Sequence, residues 1–248
     1  MITGATAGIG KATAISFGKD GDRLILTGRR ADRLDKISGE IRERSGVEVI
    51  TRCFDIRDRQ AVNQALDTLP EDWRKIDILV NNAGLASGLD PVDEADTDDW
   101  DRMIDTNVKG LLYVSRKVIP WMMARKTGHI INIGSIAGKE VYPRGNVYCA
   151  TKYAVEALTR GMRIDLLPYG IRVSQVSPGA TETEFSLVRF KGDREKASRV
   201  YQGYEPLMAE DIAGVIMYIA SLPPRVNVHD IVVMPAAQAS TMIYSKKS

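Results

Sequence analysis

Tyr148 and Lys152 lie four residues apart in a segment with helical periodicity, so their side chains project from the same face of a helix. A free phenol has a pKa of about 10 and is a poor base at neutral pH. A nearby ammonium group favours the phenolate, which suits the pair to general acid–base chemistry on an alcohol or carbonyl. The same spacing also arises by chance on many helices, so this hypothesis depends on the residues around the pair.

Two polar residues elsewhere in the chain fit the same chemistry. Ser135 directly follows a predicted strand, where its hydroxyl can hold a substrate oxygen. Asn107 lies in a segment with helical periodicity and could anchor a water molecule that relays protons. Taken alone, Asn107 is better explained as a helix-interior asparagine that packs locally. The candidate catalytic residues are therefore Asn107, Ser135, Tyr148 and Lys152, and Ser135 and Tyr148 would also contact the substrate.

The glycines within Thr3–Gly10 predict an anion-binding turn between a first strand and a first helix. Glycine permits positive φ angles and close approach of a ligand, and the amide groups at a helix N-terminus attract a phosphate. The spacing is Gly-x-x-x-Gly-x-Gly, and a tight turn without a ligand is the alternative. The pyrophosphate of a dinucleotide would contact Gly4, Ala5, Thr6, Ala7, Gly8, Ile9 and Gly10.

The end of the second predicted strand indicates which dinucleotide would bind. An NAD site usually has an acidic residue there, which accepts hydrogen bonds from the adenosine ribose. This sequence has Arg29 and Arg30 instead, and guanidinium groups match the 2′-phosphate of NADP(H). Alternatively, the two arginines only mark the start of a helix and bind no phosphate, although positive charge is mildly unfavourable at a helix start. Further expected dinucleotide contacts are Asp55 and Ile56 after the third strand, and Asn82, Ala83 and Gly84 after the fourth.

Apolar runs rich in β-branched residues alternate along the chain with longer amphipathic segments. This alternation predicts one α/β domain over residues 1–248, a doubly wound, seven-stranded parallel sheet with helices on both faces. The alternative is an eight-stranded barrel. It is disfavoured because the sequence has seven predicted strands and its phosphate loop follows the first strand. The predicted strands are Met1–Thr3, Arg23–Thr27, Val47–Cys53, Ile76–Asn81, His129–Gly134, Ile171–Ser177 and Asp230–Met234, and the predicted helices are Gly8–Lys19, Ala31–Arg44, Arg59–Leu69, Asp98–Lys126, Val147–Leu167 and Glu210–Ser221.

Two segments depart from the usual pattern. The first strand has only three residues before Gly4, whereas buried strands usually have about five or six. Residues 180–206 form a long irregular stretch, and loops of that length are usually functional, often as lids over a site. Within it, Arg189 and Lys191 lie in otherwise apolar surroundings and could clamp a substrate carboxylate when the loop closes. Two solvated charges on a mobile loop are the alternative.

The composition excludes several classes of function. The 34 Lys and Arg residues nearly balance the 32 Asp and Glu residues, so we expect no nucleic-acid partner. No apolar run approaches the roughly 18 residues that a membrane span needs, and the start of the chain shows no signal-peptide pattern. The two cysteines have no metal-ligand spacing, so we expect no metal site. A cytoplasmic protein that acts on a small molecule is the prediction.

Taken together, these motifs resemble the short-chain dehydrogenase/reductase family. Thr3–Gly10, Asn81–Gly84, Asn107, Ser135, Tyr148 with Lys152, and Ser177-Pro178-Gly179 occur in the family's order. The resemblance spans essentially the whole chain and implies a Rossmann-type sheet and a catalytic tetrad of Asn107, Ser135, Tyr148 and Lys152. It implies that Tyr148 exchanges the hydroxyl proton, that Lys152 also binds the nicotinamide ribose, and that the nicotinamide carboxamide lies against Pro178, Gly179, Thr181 and Thr183.

Within this family, several stretches are most similar to the NADP-dependent 3-hydroxy acid dehydrogenases, a subgroup that includes serine and allo-threonine dehydrogenases. They include Thr27–Arg30, Gly145–Tyr148 and Glu184–Asp193. The resemblance implies NADP(H)-linked redox chemistry at C3 of a short acid, and a homodimer or homotetramer built through long helices. Two alternatives remain open: a reductase of bulkier ketones or diketones, and a non-catalytic NADP-sensing protein.

Overall fold

Eight strands lie within residues 1–246, the part of the chain that the computed structural model describes. In chain order they are β1 (Leu24–Gly28), β2 (Val49–Cys53), β3 (Ile78–Asn81), β4 (Gly128–Ile133), β5 (Ile171–Pro178), β6 (Thr181–Glu182), β7 (Leu207–Met208) and β8 (Asp230–Val233). β1 pairs with β2, and β3, β4, β5 and β8 pair in that order, always in parallel. The short strands β6 and β7 pair with each other outside the main sheet.

The predicted first strand contributes a single bridging residue at the centre of the sheet. Ile2 forms parallel bridges to Leu26 of β1 and to Val80 of β3, which joins the two groups of strands. The order across the sheet is therefore β2, β1, residue 2, β3, β4, β5 and β8. This open arrangement confirms the predicted seven-position parallel sheet and excludes the barrel. The extended conformation is short because Gly4 turns the chain with a φ of +66°.

Helices cover both faces of the sheet, as predicted. They are α1 (Gly8–Lys19), α2 (Ala31–Ser45), α3 (Arg59–Asp67), α4 (Thr97–Ile104), α5 (Leu111–Arg125), α6 (Asn146–Leu166), α7 (Phe185–Arg189), α8 (Arg194–Arg199) and α9 (Ala209–Ser221). Short 3₁₀ turns span Glu71–Arg74, Ile136–Gly138 and Leu167–Tyr169. No helix within residues 1–246 combines the length and apolar character that crossing a membrane requires.

Two hydrophobic clusters form the core, one on each side of the sheet. Successive strand residues point to opposite faces, so Leu24 and Leu26 of β1 enter one cluster and Ile25 enters the other. The first cluster is completed by apolar residues of α1, α2 and α9, and the second by residues of α3, α5 and α6. The near-continuous apolar strands of the sequence are explained by burial on both faces.

Two predicted segments differ from their expected form. The helix predicted over Asp98–Lys126 is divided by a π-helical turn at Asp105–Gly110, between α4 and α5. Residues 180–206 are not irregular, because they contain β6, α7 and α8. The pairing of β6 with β7 ties the two ends of this segment together. Apolar periodicity detects long elements well, whereas such short ones contain too few turns to produce a pattern.

A buried polar network crosses the sheet next to the site described below. The Asn81 side-chain amide donates to Ser115 Oγ and to Asn132 Oδ1, each at 2.9 Å. Asn132 Nδ2 donates in turn to Thr159 Oγ1 at 2.9 Å. These side chains are almost fully buried, so each hydrogen bond replaces one that water would otherwise make. The network thereby links β3, β4, α5 and α6.

Replacing Asn132 by alanine should destabilise the fold. Asn132→Ala leaves Asn81 and Thr159 with unpaired polar groups in the core, and we expect the free energy of unfolding to fall by about 2–4 kcal/mol. Chemical denaturation measures this change. The control Gln64→Ala, at an exposed position of α3, should stay within about 0.5 kcal/mol of the parent protein. Equal effects of the two substitutions would show that the network contributes nothing specific.

Candidate active site

A cavity of about 470 Å³ opens at the carboxyl ends of the strands. In open α/β sheets, ligands bind at this edge, where the strand order reverses direction. Here the reversal occurs between residue 2 and β3. Most of the residues predicted from sequence line this cavity: Gly4, Thr6, Ala7, Gly8, Ile9, Arg29, Arg30, Asp55, Ile56, Asn82, Ala83, Gly84, Ser135, Tyr148, Lys152, Pro178, Gly179, Thr181, Thr183 and Arg189.

The glycine loop is shaped so that backbone, not side chains, faces the cavity. A Cβ atom at Gly10 would lie 2.4 Å from both Gly4 O and Asn82 Nδ2, so only glycine fits there. Asn82 Nδ2 donates to Thr3 O at 2.9 Å and to Gly4 O at 3.2 Å, which fixes the loop to the segment after β3. The loop is therefore rigid before any ligand contact is considered.

Helix α1 begins directly after this loop with its first amide groups uncapped. Ala7 occupies the N-cap position, and its methyl side chain makes no capping hydrogen bond to these amides. The first N–H groups of a helix have no intrahelical partners and carry partial positive charge, so they suit a phosphate. Gly8 has a φ of +49°, and a Cβ there would meet Thr183 at 3.2 Å. The cradle of glycines and free amides fits the pyrophosphate of a dinucleotide.

Two residues of the predicted loop do not line the cavity. Ala5 is fully buried in the core, and its N–H donates to Thr27 O at 3.0 Å. Gly10 packs beneath Gly4 within the loop. Both residues therefore make packing contacts in the structure, and their role as dinucleotide contacts stays a prediction.

Arginines gather at the end of β1, as predicted. Arg30 donates from Nη2 and Nε to Thr6 Oγ1, at 2.9 and 3.3 Å, and its Nη1 lies 3.0 Å from Glu184 Oε2. Arg33, on the first turn of α2, lies 2.6 Å from the same carboxylate. Arg33 was not predicted from the sequence, although it lies three residues after Arg30, the N-cap of α2, and these two positions are neighbours at the start of a helix.

Asp55 is held by two cations at the adenine side of the cavity. Its Oδ2 lies 2.7 Å from Arg57 Nη2 and 3.7 Å from Arg29 Nη1. Burial acts to raise the pKa of Asp55, but the hydrogen bonds from Arg57 and the charge of Arg29 hold this pKa below its usual range. Asp55 is therefore an ionised acceptor, which suits the predicted bond from an adenine amino group.

Tyr148 and Lys152 are both buried at the centre of the cavity, on the first turns of α6. Lys152 Nζ donates to Ile133 O at 2.9 Å and lies 5.9 Å from the centre of the Tyr148 ring. Burial lowers the pKa of Lys152 to about 8. Burial also raises the pKa of the Tyr148 phenol, while hydrogen bonding from Ser135 and the charge of Arg189 act in the opposite direction.

For the protein's own groups, burial favours the neutral phenol over the opposing effects of Ser135 and Arg189. The expectation that Lys152 and an oxidised nicotinamide together favour the phenolate stays a prediction. A neutral phenol is the form that donates a proton. Ser135 lies beside it with its Oγ accepting from Ala137 N at 3.1 Å, so the hydroxyl proton of Ser135 remains available to a substrate oxygen.

Asn107 lies behind the cavity wall, on the π-helical turn. Its Nδ2 donates to Leu85 O at 2.8 Å and to Thr151 Oγ1 at 3.0 Å, and its Oδ1 accepts from Leu85 N at 2.8 Å. Both amide donors are used, so a relay water could only donate to its oxygen. The side chain holds the segment after β3 against α6, and its role as a water anchor stays a prediction.

The segment after β5 is supported by a residue that the sequence analysis missed. Gln238 is buried, and its Oε1 accepts from Ala180 N at 2.8 Å. A Cβ at Gly179 would lie 2.6 Å from the same oxygen, so the glycine permits this contact. Gln238 belongs to no motif and lies beyond β8, so only the folded structure brings it to the site.

Arg189 and Lys191 have different surroundings. Arg189 lies with its Cζ 5.4 Å from the Tyr148 ring centre, and it donates to Tyr142 Oη and, from Nε, to Gly88 O. No carboxylate within residues 1–246 pairs with it. Lys191 is exposed and lies 2.9 Å from Asp99 and 3.4 Å from Asp96, away from the cavity. Lys191 therefore lies outside the cavity, and a carboxylate clamp by Arg189 stays a prediction.

Known proteins are similar to this chain along most of its length. A family model described as short chain dehydrogenase matches residues 1–193. NADP-dependent 3-hydroxy acid dehydrogenase YdfG of Salmonella typhi is 46% identical over 96% of this chain and 95% of the relative. Sulfoacetaldehyde reductase 2 of Chromohalobacter salexigens is also 46% identical, over 96% of this chain and 94% of its own length.

Among solved structures, the closed form of a serine dehydrogenase complexed with NADP+ superimposes with a TM-score of 0.92 at 43% identity, covering 100% of this chain and 98% of that one. The family match spans well over half of the chain, and these relatives align along nearly all of it. The protein belongs to the short-chain dehydrogenase/reductase family.

Proposed function

We propose that this protein is an NADP(H)-dependent oxidoreductase that interconverts the C3 hydroxyl and carbonyl groups of short 3-hydroxy acids. The observation that carries the substrate class is the position of Arg189, which faces the cavity beside Tyr148 without a carboxylate partner within residues 1–246. The observation that supports NADP(H) is the arginine group at the end of β1, and NADP appears in the names of the compared dehydrogenases.

Ser135, Tyr148 and Lys152 each have a separate role in the proposed reaction. The cofactor, when bound, supplies the hydride for reduction and accepts it for oxidation. Ser135 holds the substrate oxygen, and Tyr148 donates its proton to that oxygen in reduction or accepts it in oxidation. Lys152, fixed by Ile133 O, keeps positive charge next to the phenol and would bind the nicotinamide ribose. The main contribution of the protein is to hold both reactants in a reactive geometry.

Arg189 is suited to a carboxylate because its guanidinium still has unused donors. It has five N–H groups, and the contacts with Tyr142 and Gly88 leave others free. Hydrogen bonds between two ionised groups are about twice as strong as neutral ones. A 3-hydroxy acid places its carboxylate two bonds from the reacting carbon, which matches the short separation of Arg189 from Tyr148. Serine and sulfoacetaldehyde also have an anionic group close to the reacting carbon, whereas a hydrophobic diketone has none.

Removing the Tyr148 hydroxyl should abolish turnover. We expect Tyr148→Phe to lower kcat by about 100- to 10,000-fold, because the proton donor and acceptor is lost while the ring remains. Stopped assays of NADP+ reduction with serine, allo-threonine and 3-hydroxypropionate measure turnover, and fluorescence titration checks that NADPH still binds. The control Tyr218→Phe, at an exposed position of α9, should keep parental rates. Sustained turnover by Tyr148→Phe refutes the assigned role.

The role of Arg189 is tested by comparing charged and uncharged substrates. We expect Arg189→Ala to raise KM for 3-hydroxypropionate by about 10- to 100-fold, because a charge-assisted hydrogen bond is lost. KM for the uncharged analogue 1,3-propanediol should rise much less. The neighbouring Lys191→Ala is the matched control, and because Lys191 lies outside the cavity with a half-exposed side chain, we expect its KM to change less than about twofold. An equal rise in KM for both substrates in Arg189→Ala would argue against a carboxylate clamp.

Cofactor preference should depend on Arg30. We expect Arg30→Ala to raise the Kd of NADPH by about 10- to 100-fold and to leave that of NADH nearly unchanged, because only NADPH has the 2′-phosphate. Arg29→Ala should shift preference in the same direction. Arg44→Ala, at the far end of α2, controls for the loss of surface charge. An equal rise in the Kd values of NADPH and NADH would contradict recognition of the 2′-phosphate by Arg30.

A further inference from the structure

Glu184 lies against the arginines that would recognise the 2′-phosphate. Its carboxylate is 3.0 Å from Arg30 Nη1 and 2.6 and 2.9 Å from Arg33 Nη1. Burial acts to raise the pKa of Glu184, but hydrogen bonds from Arg33 and Arg30 lower it further, so the group is ionised at neutral pH. An anionic side chain of the protein thus holds the position where an anionic group of the cofactor would bind.

We infer that Glu184 competes with the cofactor 2′-phosphate for Arg30 and Arg33, and that this exchange couples cofactor recognition to the segment that carries Arg189. The inference rests on the proposed use of NADP(H). It assigns Glu184 as a residue that tunes discrimination between NADP(H) and NAD(H), in addition to the arginines themselves.

Competition follows from the donors of Arg30. Its Nε and Nη2 donate to Thr6 Oγ1, and its Nη1 contacts Glu184, so all three nitrogens have acceptors. Two of its five N–H groups remain free, one on Nη2 and one on Nη1 beside Glu184, so a phosphate that binds Arg30 through Nη1 approaches Glu184 closely. Two anions that share one guanidinium repel each other. A phosphate displaces the ion pair with Glu184 more easily than the bonds to Thr6, because the side chains of this pair are about two-fifths exposed, at 39% for Arg30 and 43% for Glu184.

The coupling follows from the position of Glu184 in the chain. Glu184 directly precedes α7, and its carbonyl accepts from Val188 N at 3.0 Å. The next residue, Phe185, packs edge-on against Tyr148 with ring centres 5.5 Å apart. Arg189 at the other end of α7 lies 5.4 Å from the same ring. Release of Glu184 from the arginines therefore frees the beginning of the helix that contacts the acid–base residue at both ends.

Binding of cofactor fragments tests the competition without any turnover. Isothermal titration calorimetry would compare 2′,5′-ADP with 5′-AMP, which lacks the 2′-phosphate, on the parent protein, Glu184→Gln and Glu182→Gln. Glu182 lies on β6 in the same segment, is exposed, and makes no ion pair within residues 1–246. We expect Glu184→Gln to lower the Kd of 2′,5′-ADP about fivefold, as loss of a partly exposed competing ion pair predicts. The Kd of 5′-AMP, and both values for Glu182→Gln, should stay at parental levels.

Hydrogen–deuterium exchange over residues 184–200 tests the coupling. In the parent protein, 2′,5′-ADP should accelerate exchange at the start of α7 and 5′-AMP should not. In Glu184→Gln exchange should already be fast and should not respond to 2′,5′-ADP. Unchanged affinity of Glu184→Gln overturns the inference, and weakened affinity does so too, because Glu184 would then position the arginines.

A third result separates this inference from the proposed function. If the parent protein binds 2′,5′-ADP no better than 5′-AMP, recognition of the 2′-phosphate fails, and the competition fails with it. If the parent protein prefers 2′,5′-ADP while Glu184→Gln behaves like the parent, the cofactor assignment stands and only the role of Glu184 is refuted.

Discussion

The hydrogen bonds of residues 1–3 to β1 and β3 are the interaction on which the rest of the molecule depends. Ile2 N donates to Ile25 O at 2.9 Å, Thr27 N donates to Ile2 O at 3.0 Å, and Thr3 N donates to Val80 O at 3.0 Å. Together with the bonds from Val80 N to Met1 O and from Met1 N to Ile78 O, they join the β1–β2 pair to the β3–β4–β5–β8 group. Because the glycine loop begins at the next residue, the same bonds also fix the loop relative to both neighbouring strands.

The reacting centre reflects a balance between burial and charge. A buried phenol is held neutral, which is the correct state for donating a proton during reduction. Oxidation requires the phenolate, and the positive ring of the oxidised cofactor adds the charge that favours it. An acid bound to Arg189 would neutralise that guanidinium, so Lys152 would remain as the protein's own positive charge near the phenol. Burial and the redox state of the cofactor thus set the protonation of Tyr148 together.

The sequence predicts the sheet, its helices and about half of the residues that line the cavity because each of these leaves a regular pattern. Strands buried on both faces give continuous apolar runs, and the glycines of Thr3–Gly10 mark positions where a Cβ would clash. Ser135 follows the end of a strand, and Tyr148 and Lys152 share one helix face, where local spacing already implies proximity. These features depend on neighbours in sequence.

The parts that the sequence did not predict depend on distant contacts. Gln238 reaches Ala180 from beyond the last strand of the sheet, and Glu184 pairs with Arg33 about 150 positions away along the chain. Arg189 and Lys191 were both expected to face a substrate because their surroundings in the sequence are apolar, but acidic residues before and on α4 hold Lys191 outside the cavity. The effect of burial on the Tyr148 phenol is likewise not readable from the sequence, since burial is a property of the whole fold.

The two-residue pairing of β6 with β7 has a consequence for how this protein can diversify. Thr181 pairs with Leu207 and Glu182 with Met208, so the two ends of the segment between these strands lie next to each other. The entropic cost of closing a loop grows only slowly with its length, so insertions or deletions between these anchors disturb the sheet little. Selection can therefore change the length of the segment between these anchors while the main sheet stays unchanged.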